Sequence, residues 1–310
     1  MKKLRLLFTS LLLLIPLSAC GLDEQFSYVE NKINIVTTTT MLGDLASNIG
    51  GDRVNVFVIM KPGVNPHSYN PRPSDTRALA KADLVVLNGL HLEAKMGDVL
   101  LSIDEEKRLI ASDILVSLSR PAIITTSDRQ LDPHIWGSPL NWEHVARSLK
   151  IKLQELDSTN HDIYESNYLG YSKELIDLYT ETMDKVEQLK EEERVLITAH
   201  DAFAYVGLEF GFEVHAIQGI STQTEASVKD IQDLANLVVD LKVKAIFVET
   251  SVPENTINSV LEAVRAQNHK VTIGGHLYSD SLGDERSGAE TYIKMYQHNI
   301  DTIVSALKGA

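Results

Sequence analysis

Histidine recurs in this chain at places from which a side chain can leave the backbone and bind a metal. His67 lies in GVNPHSYNP, His134 in LDPHIWGSP and His200 in TAHDAF, while a carboxylate, Asp280, lies in LYSDSLGD. Each segment falls where a strand or loop should end. Three imidazoles and one carboxylate form a donor set for a divalent transition metal. A lone histidine beside proline is ordinarily a polar surface group, but four such segments complete a tetrahedral set and point to metal capture. Asp280 also suits a simple Asx turn, given Ser279, Ser281 and Asp284 around it. Glu225 in STQTEAS and His276, shortly before Asp280, are candidates for orienting a donor from behind. His91 and His215 fall at strand ends or in strands, and His144, His161, His269 and His298 read as helix or surface residues.

The elements that must position these groups repeat. From Ile33 the pattern reads strand INIVTTT, helix MLGDLASNIGG, strand VNVFVIM, a Pro/Gly loop bearing His67, helix SDTRALAKA and strand DLVVLNG. From Val195 it reads strand VLITAH, helix DAFAYVGLEFG, strand EVHAIQG, a Ser/Thr loop, helix VKDIQDLANLVVDLK and strand AIFVET. Short β-branched runs alternating with amphipathic stretches predict βαβ units with buried parallel strands. The fold class is therefore α/β, with two pseudo-symmetric lobes. In open α/β sheets, ligands bind beyond the carboxyl ends of the strands, where all four segments can be placed, two from each lobe. His200 ends its strand just before a helix that Asp201 could cap. Pro62, Gly63, Pro71 and Pro73 stiffen the loop around His67.

Between the lobes, Tyr164, Tyr168, Tyr171, Leu175 and Leu178 alternate at spacings of four and three. This predicts one long helix of about thirty residues, about 45 Å at a rise of 1.5 Å per residue. A single stiff connection disfavours large hinge closure. The expected organisation is an N-terminal signal segment over residues 1–19, a polar tether over 20–32, a first lobe over 33–150, a linking helix region over 151–192 and a second lobe over 193–310.

The first residues place the site outside the cytoplasm. Lys2, Lys3 and Arg5 precede a mostly apolar run from Leu6 to Leu17, and Leu17-Ser18-Ala19-Cys20 closes it. That is the pattern of a bacterial lipoprotein signal, in which Cys20 becomes the lipid-bearing first residue. Cys20 is the only cysteine, so no disulfide competes for it. Hydrophobic residues at 44% and charged residues at 23% indicate a soluble globular body held at a membrane by its lipid. Loss of the signal removes three positive charges from a formal charge of -14, leaving about -17. Nucleic acid is not an expected partner, and a monomer is expected.

The segments GVNPHSYNP, NGLHLEAKM, DPHIW, RVLITAHDAFAY, GFEV with QGIST, AIFVETSVP and IGGHLYSDSLGD, in that order, cover nearly the whole chain after the tether. Together they resemble the cluster A-I metal-binding lipoproteins of ABC transporters, the zinc/manganese solute-binding protein 9 family, of the TroA/MntA type. The resemblance implies two four-stranded α/β lobes joined by one long helix, with a single metal between them held by His67, His134, His200 and Asp280. It also implies an ABC permease and its ATPase as partners. The third donor varies in that family, being glutamate in many manganese binders and histidine in others; here it is His200.

Donor softness favours Zn²⁺, and Mn²⁺ would bind more weakly by the Irving–Williams order. Dedicated zinc members of the family often carry a loop rich in histidine and acids in the first lobe, whereas Ser119 to Leu131 contains no histidine. Both metals therefore stay open. Affinity should fall below about pH 6, because a ligating imidazole must be neutral. A metal-dependent hydrolase would need an open coordination position and a base; HExxH is absent and Glu249 is the one base on offer. A surface adhesin is the other alternative, without an adhesive repeat to support it.

Overall fold

The computed structural model describes residues 25–118, 123–126 and 129–308. Cys20 and the whole signal segment lie outside the described residues. The first lobe runs β1 (Ile33–Thr37), α1 (Thr40–Gly50), β2 (Val54–Val58), α2 (Pro73–Lys81), β3 (Leu84–Leu87), α3 (Gly97–Leu101), β4 (Arg108–Ile110) and α4 (Asp113–Val116). Two long helices follow, α5 (Pro139–Leu156) and α6 (His161–Val186). The second lobe runs β5 (Val195–His200), α7 (Ala204–Phe210), β6 (Glu213–Gln218), α8 (Val228–Asp240), β7 (Ala245–Glu249), α9 (Asn255–Ala266), β8 (Thr272–Leu277) and α10 (Tyr292–Lys308).

In the first lobe the strands form one parallel sheet in the order β2-β1-β3-β4. The central strands are apolar on both faces because helices cover both. One face belongs to a core with Met41, Leu42 and Leu45 of α1, the other to a core with Ala78 and Leu79 of α2. Thr39 caps α1 through its side chain, and Gly43 lets that helix approach the sheet. A Cβ at Gly43 would sit 2.4 Å from Val58 Cγ2.

The second lobe differs from a single four-stranded sheet. Its hydrogen-bonded ladders are two parallel pairs, β5 with β6 and β7 with β8, among the described residues. Ile197 of β5 and Ile246 and Val248 of β7 share one core with α8 and α9, so the pairs lie together although the ladder between them is broken. At their carboxyl ends a side chain takes the place of the ladder: the amides of Ala199 and His200 donate to Glu249 at 2.8 and 2.9 Å. The helix after β5 begins at Ala204 with no side-chain cap, so Asp201 does not cap it.

The long helix α6 has 26 residues, about 39 Å, rather than thirty. The chain before it breaks at Asp157 and a short 3-10 turn over Ser158–Asn160, which ends α5 and starts α6 separately. Tyr164, Tyr171, Leu175 and Leu178 face inward, while Tyr168 is half-buried with its hydroxyl on Glu143 of α5. The same core holds α1 of the first lobe and α10 of the second, and Trp142 stacks on Tyr292 at 5.3 Å. Both lobes are thus fastened along one spine. Among the described residues no helix is long and apolar enough to cross a membrane.

Candidate metal centre

His67, His134, His200 and Asp280 meet between the lobes, each offering one donor atom, and these atoms lie within 4.8 Å of one another. None of the four is more than 2% exposed, so water does not screen the charges they gather. His200 is the last residue of β5, aimed out of the sheet by a strand buried along its whole length. His67 follows Pro66 in the loop after β2, with its amide on the Asn65 side chain at 2.9 Å. His134 precedes a 3-10 turn over Ile135–Gly137, after which Ser138 caps α5. Asp280 lies in the turn after β8.

The spacing tests whether a cation fits. His67 Nε2 lies 3.3 Å from His134 Nε2, and His67 Nε2 lies 3.9 Å from Asp280 Oδ2. Asp280 Oδ1 lies 3.6 Å from His134 Nε2 and 3.2 Å from His200 Nε2. Donors about 2.0–2.1 Å from a tetrahedral ion stand about 3.3–3.4 Å apart, so the two shortest edges match a metal polyhedron and the longer ones are wider than it. His200 Nε2 and Asp280 Oδ1 approach without the alignment of a hydrogen bond, and neither makes another hydrogen bond among the described residues. Buried polar atoms are seldom left so. A dication at the centre would satisfy both. Asp280 presents one oxygen to His134 and His200 and the other to His67, so its carboxylate can also occupy two positions.

Two further carboxylates stand behind the imidazoles. Asp132 Oδ1 accepts from His134 Nδ1 at 2.7 Å, and Glu249 Oε2 accepts from His200 Nδ1 at 2.5 Å. Each bond fixes a ring and leaves Nε2 free to donate to a metal. Three carboxylates around one point gather negative charge that a divalent cation offsets more fully than a monovalent one. Ser251 donates to Asp280 Oδ2 at 3.3 Å and steadies it.

Burial pulls the pKa of His67 down to about 4, only partly opposed by the charge of Asp280. Burial works against a charged His200 too, but Asp280 and Glu249 outweigh it and hold its pKa well above the usual histidine value. Burial would raise Asp280, yet the three imidazoles, His200 foremost, hold it well below the usual carboxylate range.

The orienting role expected of Glu225 and His276 falls to Asp132 and Glu249 instead. Glu225 is exposed beside a groove of about 660 Å³ between the lobes. His276 is exposed on β8, with Glu254 at 3.7 Å, because successive residues of a strand face opposite sides and the chain turns before Asp280. Asp132 was within reach of sequence reasoning as the acid two residues before His134. Glu249 was visible as a strand-terminal acid, but its bond to His200 spans 49 residues of sequence. His91 is exposed, His215 pairs with Glu213, and neither joins the cluster.

Comparison with known proteins agrees with this geometry. The family model described as ZnuA, zinc-uptake complex component A, periplasmic, matches residues 35–306. The manganese-binding lipoprotein MntA of Bacillus subtilis is 38% identical over 293 residues, covering 94% of this chain and 95% of that protein. The zinc-binding protein TroA of Treponema pallidum is 37% identical over 278 residues, covering 90% of each. The solved structure of the periplasmic zinc-binding protein TroA from Treponema pallidum superimposes with a TM-score of 0.85 at 38% identity, covering 89% of this chain and 99% of that one. With this match over most of its length, the chain belongs to the family described as ZnuA, zinc-uptake complex component A, periplasmic.

Proposed function

We propose that this protein is an extracytoplasmic solute-binding lipoprotein that captures one divalent transition metal, Mn²⁺ or Zn²⁺, and delivers it to an ABC permease driven by a cytoplasmic ATPase. The observation that carries this reading is the meeting of three imidazoles and one carboxylate from both lobes at metal-polyhedron spacing. Relatives named as manganese-binding and zinc-binding proteins support either metal. In this reading His67, His134, His200 and Asp280 are the ligands, and the cation ties the lobes together as it sheds water. Cys20 bears the lipid, palmitate among its acyl chains, and anchors a monomer to the bacterial membrane; relatives named as lipoproteins support the anchor. The division into residues 1–19, 20–32, 33–150, 151–192 and 193–310 is proposed on the same grounds.

The family is one of binding components, which sets the hydrolase reading aside. Glu249, the base such an enzyme would need, already accepts the amides of Ala199 and His200 and the His200 ring. No observation favours an adhesin.

The test is metal analysis of protein purified without chelator, then competition between Zn²⁺ and Mn²⁺ followed by thermal unfolding. Metal at a hundredfold excess over Kd should stabilise by about 2.7 kcal/mol, a rise in Tm on the order of 5 °C. No bound metal and no rise would sink the reading. Replacing Cys20 with serine should release the protein from membranes; an unchanged membrane fraction would remove the anchor.

A further inference from the structure

The segment NGLHLEAKM contributes nothing to the donor set, yet its backbone is held in an uncommon shape. Strand β3 ends at Leu87, and three consecutive residues then take left-handed conformations, Gly89 at φ 87°, Leu90 at 52° and His91 at 63°. Only glycine adopts this region freely, so something must hold the other two. Glu93 does so. Its carboxylate, 4% exposed, accepts the Asn88 amide at 2.7 Å, the Gly89 amide at 3.2 Å and the Thr38 hydroxyl at 2.6 Å. A buried acid facing only neutral donors is costly, so its presence asks for a return elsewhere.

The return lies on Asn88. With its backbone fixed by Glu93, its side-chain amide donates to the carbonyl of Pro133 at 2.8 Å, and Pro133 immediately precedes His134. Asp132 holds the same short stretch from the other side, through the amide and the ring of His134. His134 approaches both His67, at 3.3 Å, and Asp280, at 3.6 Å. A small rotation of its backbone therefore changes two edges at once. We propose that Glu93 is a positioning residue for metal capture: it aims Asn88 at Pro133 and so sets where His134 presents Nε2. This rests on His134 being a ligand, as proposed above.

The test uses the full chain with Mn²⁺ and Zn²⁺ as probes and compares Asn88→Ala, Glu93→Ala, Glu93→Gln, the double Asn88→Ala/Glu93→Ala and His134→Ala. Asn88→Ala and Glu93→Ala should each weaken binding about tenfold, the low end for partners outside the ligand shell. The double variant should lose no more than the worse single, because both act through one hydrogen bond. Glu93→Gln keeps an oxygen for Asn88 and Thr38 and should restore most of the affinity. The electron paramagnetic resonance line shape of bound Mn²⁺ should change in the alanine variants and return in Glu93→Gln. A fall in Tm with affinity and line shape unchanged would overturn the proposal, as would additive losses. Should Glu93→Ala fail to fold, Asn88→Ala decides alone: unchanged affinity overturns the proposal. If His134→Ala itself binds normally, the ligand reading fails; if it loses metal while Asn88→Ala does not, only the positioning role fails.

Discussion

His67 and His134 come from the same lobe in sequence, but they are held by different physics. The His134 segment is buried from Asp132 to Pro139 and fastened to the second lobe by hydroxyls. Tyr205 donates to the Asp132 carbonyl at 2.9 Å, Tyr292 to Trp136 at 2.7 Å and Tyr296 to Gly137 at 2.9 Å. Trp136 returns a bond to the Ser279 carbonyl at 2.7 Å, one residue from Asp280. Around His67, only Pro66 and His67 itself are buried, and the ties across the cleft are the Gly63 backbone amide, which donates to the Ser281 hydroxyl at 2.9 Å, and amide side chains at its edge. Asn65 donates to Thr222 at 2.8 Å and Gln223 to the His67 carbonyl at 2.9 Å. The His134 segment is thus joined by buried bonds to the elements that carry His200 and Asp280, whereas the His67 loop is tied to them by partly exposed ones.

The largest expected effects separate the two histidines. Replacing either with alanine should cost metal affinity about a hundredfold or more, taking about 3 kcal/mol as one ligand's share of a site worth about 10–16 kcal/mol. In the metal-free protein they should part company. His134→Ala leaves the buried Asp132 carboxylate with the residue-134 amide but without its ring partner, and should cost about 2 kcal/mol, a fall in Tm on the order of 4–8 °C. His67→Ala removes a ring with no such dependant and should leave the metal-free Tm nearly unchanged. Equal falls in calorimetry would break the comparison.

Acidity should sharpen it next. His200, held protonated above the usual histidine range, must surrender its proton to a metal, whereas His67, at about 4, has none to give at pH 7. Metal uptake near pH 6–7 should release about one proton through His200, so affinity rises about tenfold per pH unit there. Titration calorimetry in buffers of different ionisation enthalpy counts that proton; none released would contradict the assignment. For the metal-free fold the signs oppose. The stability associated with His67 is present above pH 6.5 and lost as pH falls through about 4, while that of His200 is present below 6.5 and lost as pH rises through its folded value.

Tyr205→Phe, Tyr292→Phe or Tyr296→Phe should each cost about 1 kcal/mol of stability, the worth of one buried hydroxyl bond. Thermal unfolding reads that as a fall of about 2–4 °C. Gln223→Ala should do least to stability, within about 0.5 kcal/mol, while speeding metal release measured by stopped-flow chelation. A Gln223→Ala protein that melts early but releases metal at the original rate would reverse the proposed division of labour.

The sequence disclosed the βαβ order, the strand-end placement of the donor candidates and the inward face of α6, because those depend on local periodicity and on Pro and Gly. The sequence did not disclose the break between β5 and β7, or that Glu249 takes the amides of Ala199 and His200 where the strands end. Nor did it separate α5 from α6, since the Asp157 turn interrupts a helical pattern on both sides. His276 looked close to Asp280 because sequence distance is short, but strand alternation turns it to solvent. Asp132 and Glu249 show the same limit from the other side: an acid is legible, while the imidazole it orients is decided by packing.

Trp136 gives the cluster an optical voice. The chain has two tryptophans, and this one stands edge-on to the His134 ring, 5.4 Å between centroids at 77°. Trp142 is buried in the spine against Tyr292. Indole emission shifts with the electric field across the ring, so a dication arriving at His134 should change the colour and yield of Trp136 while leaving Trp142 as an internal reference. Native fluorescence then follows filling and emptying in real time without a label.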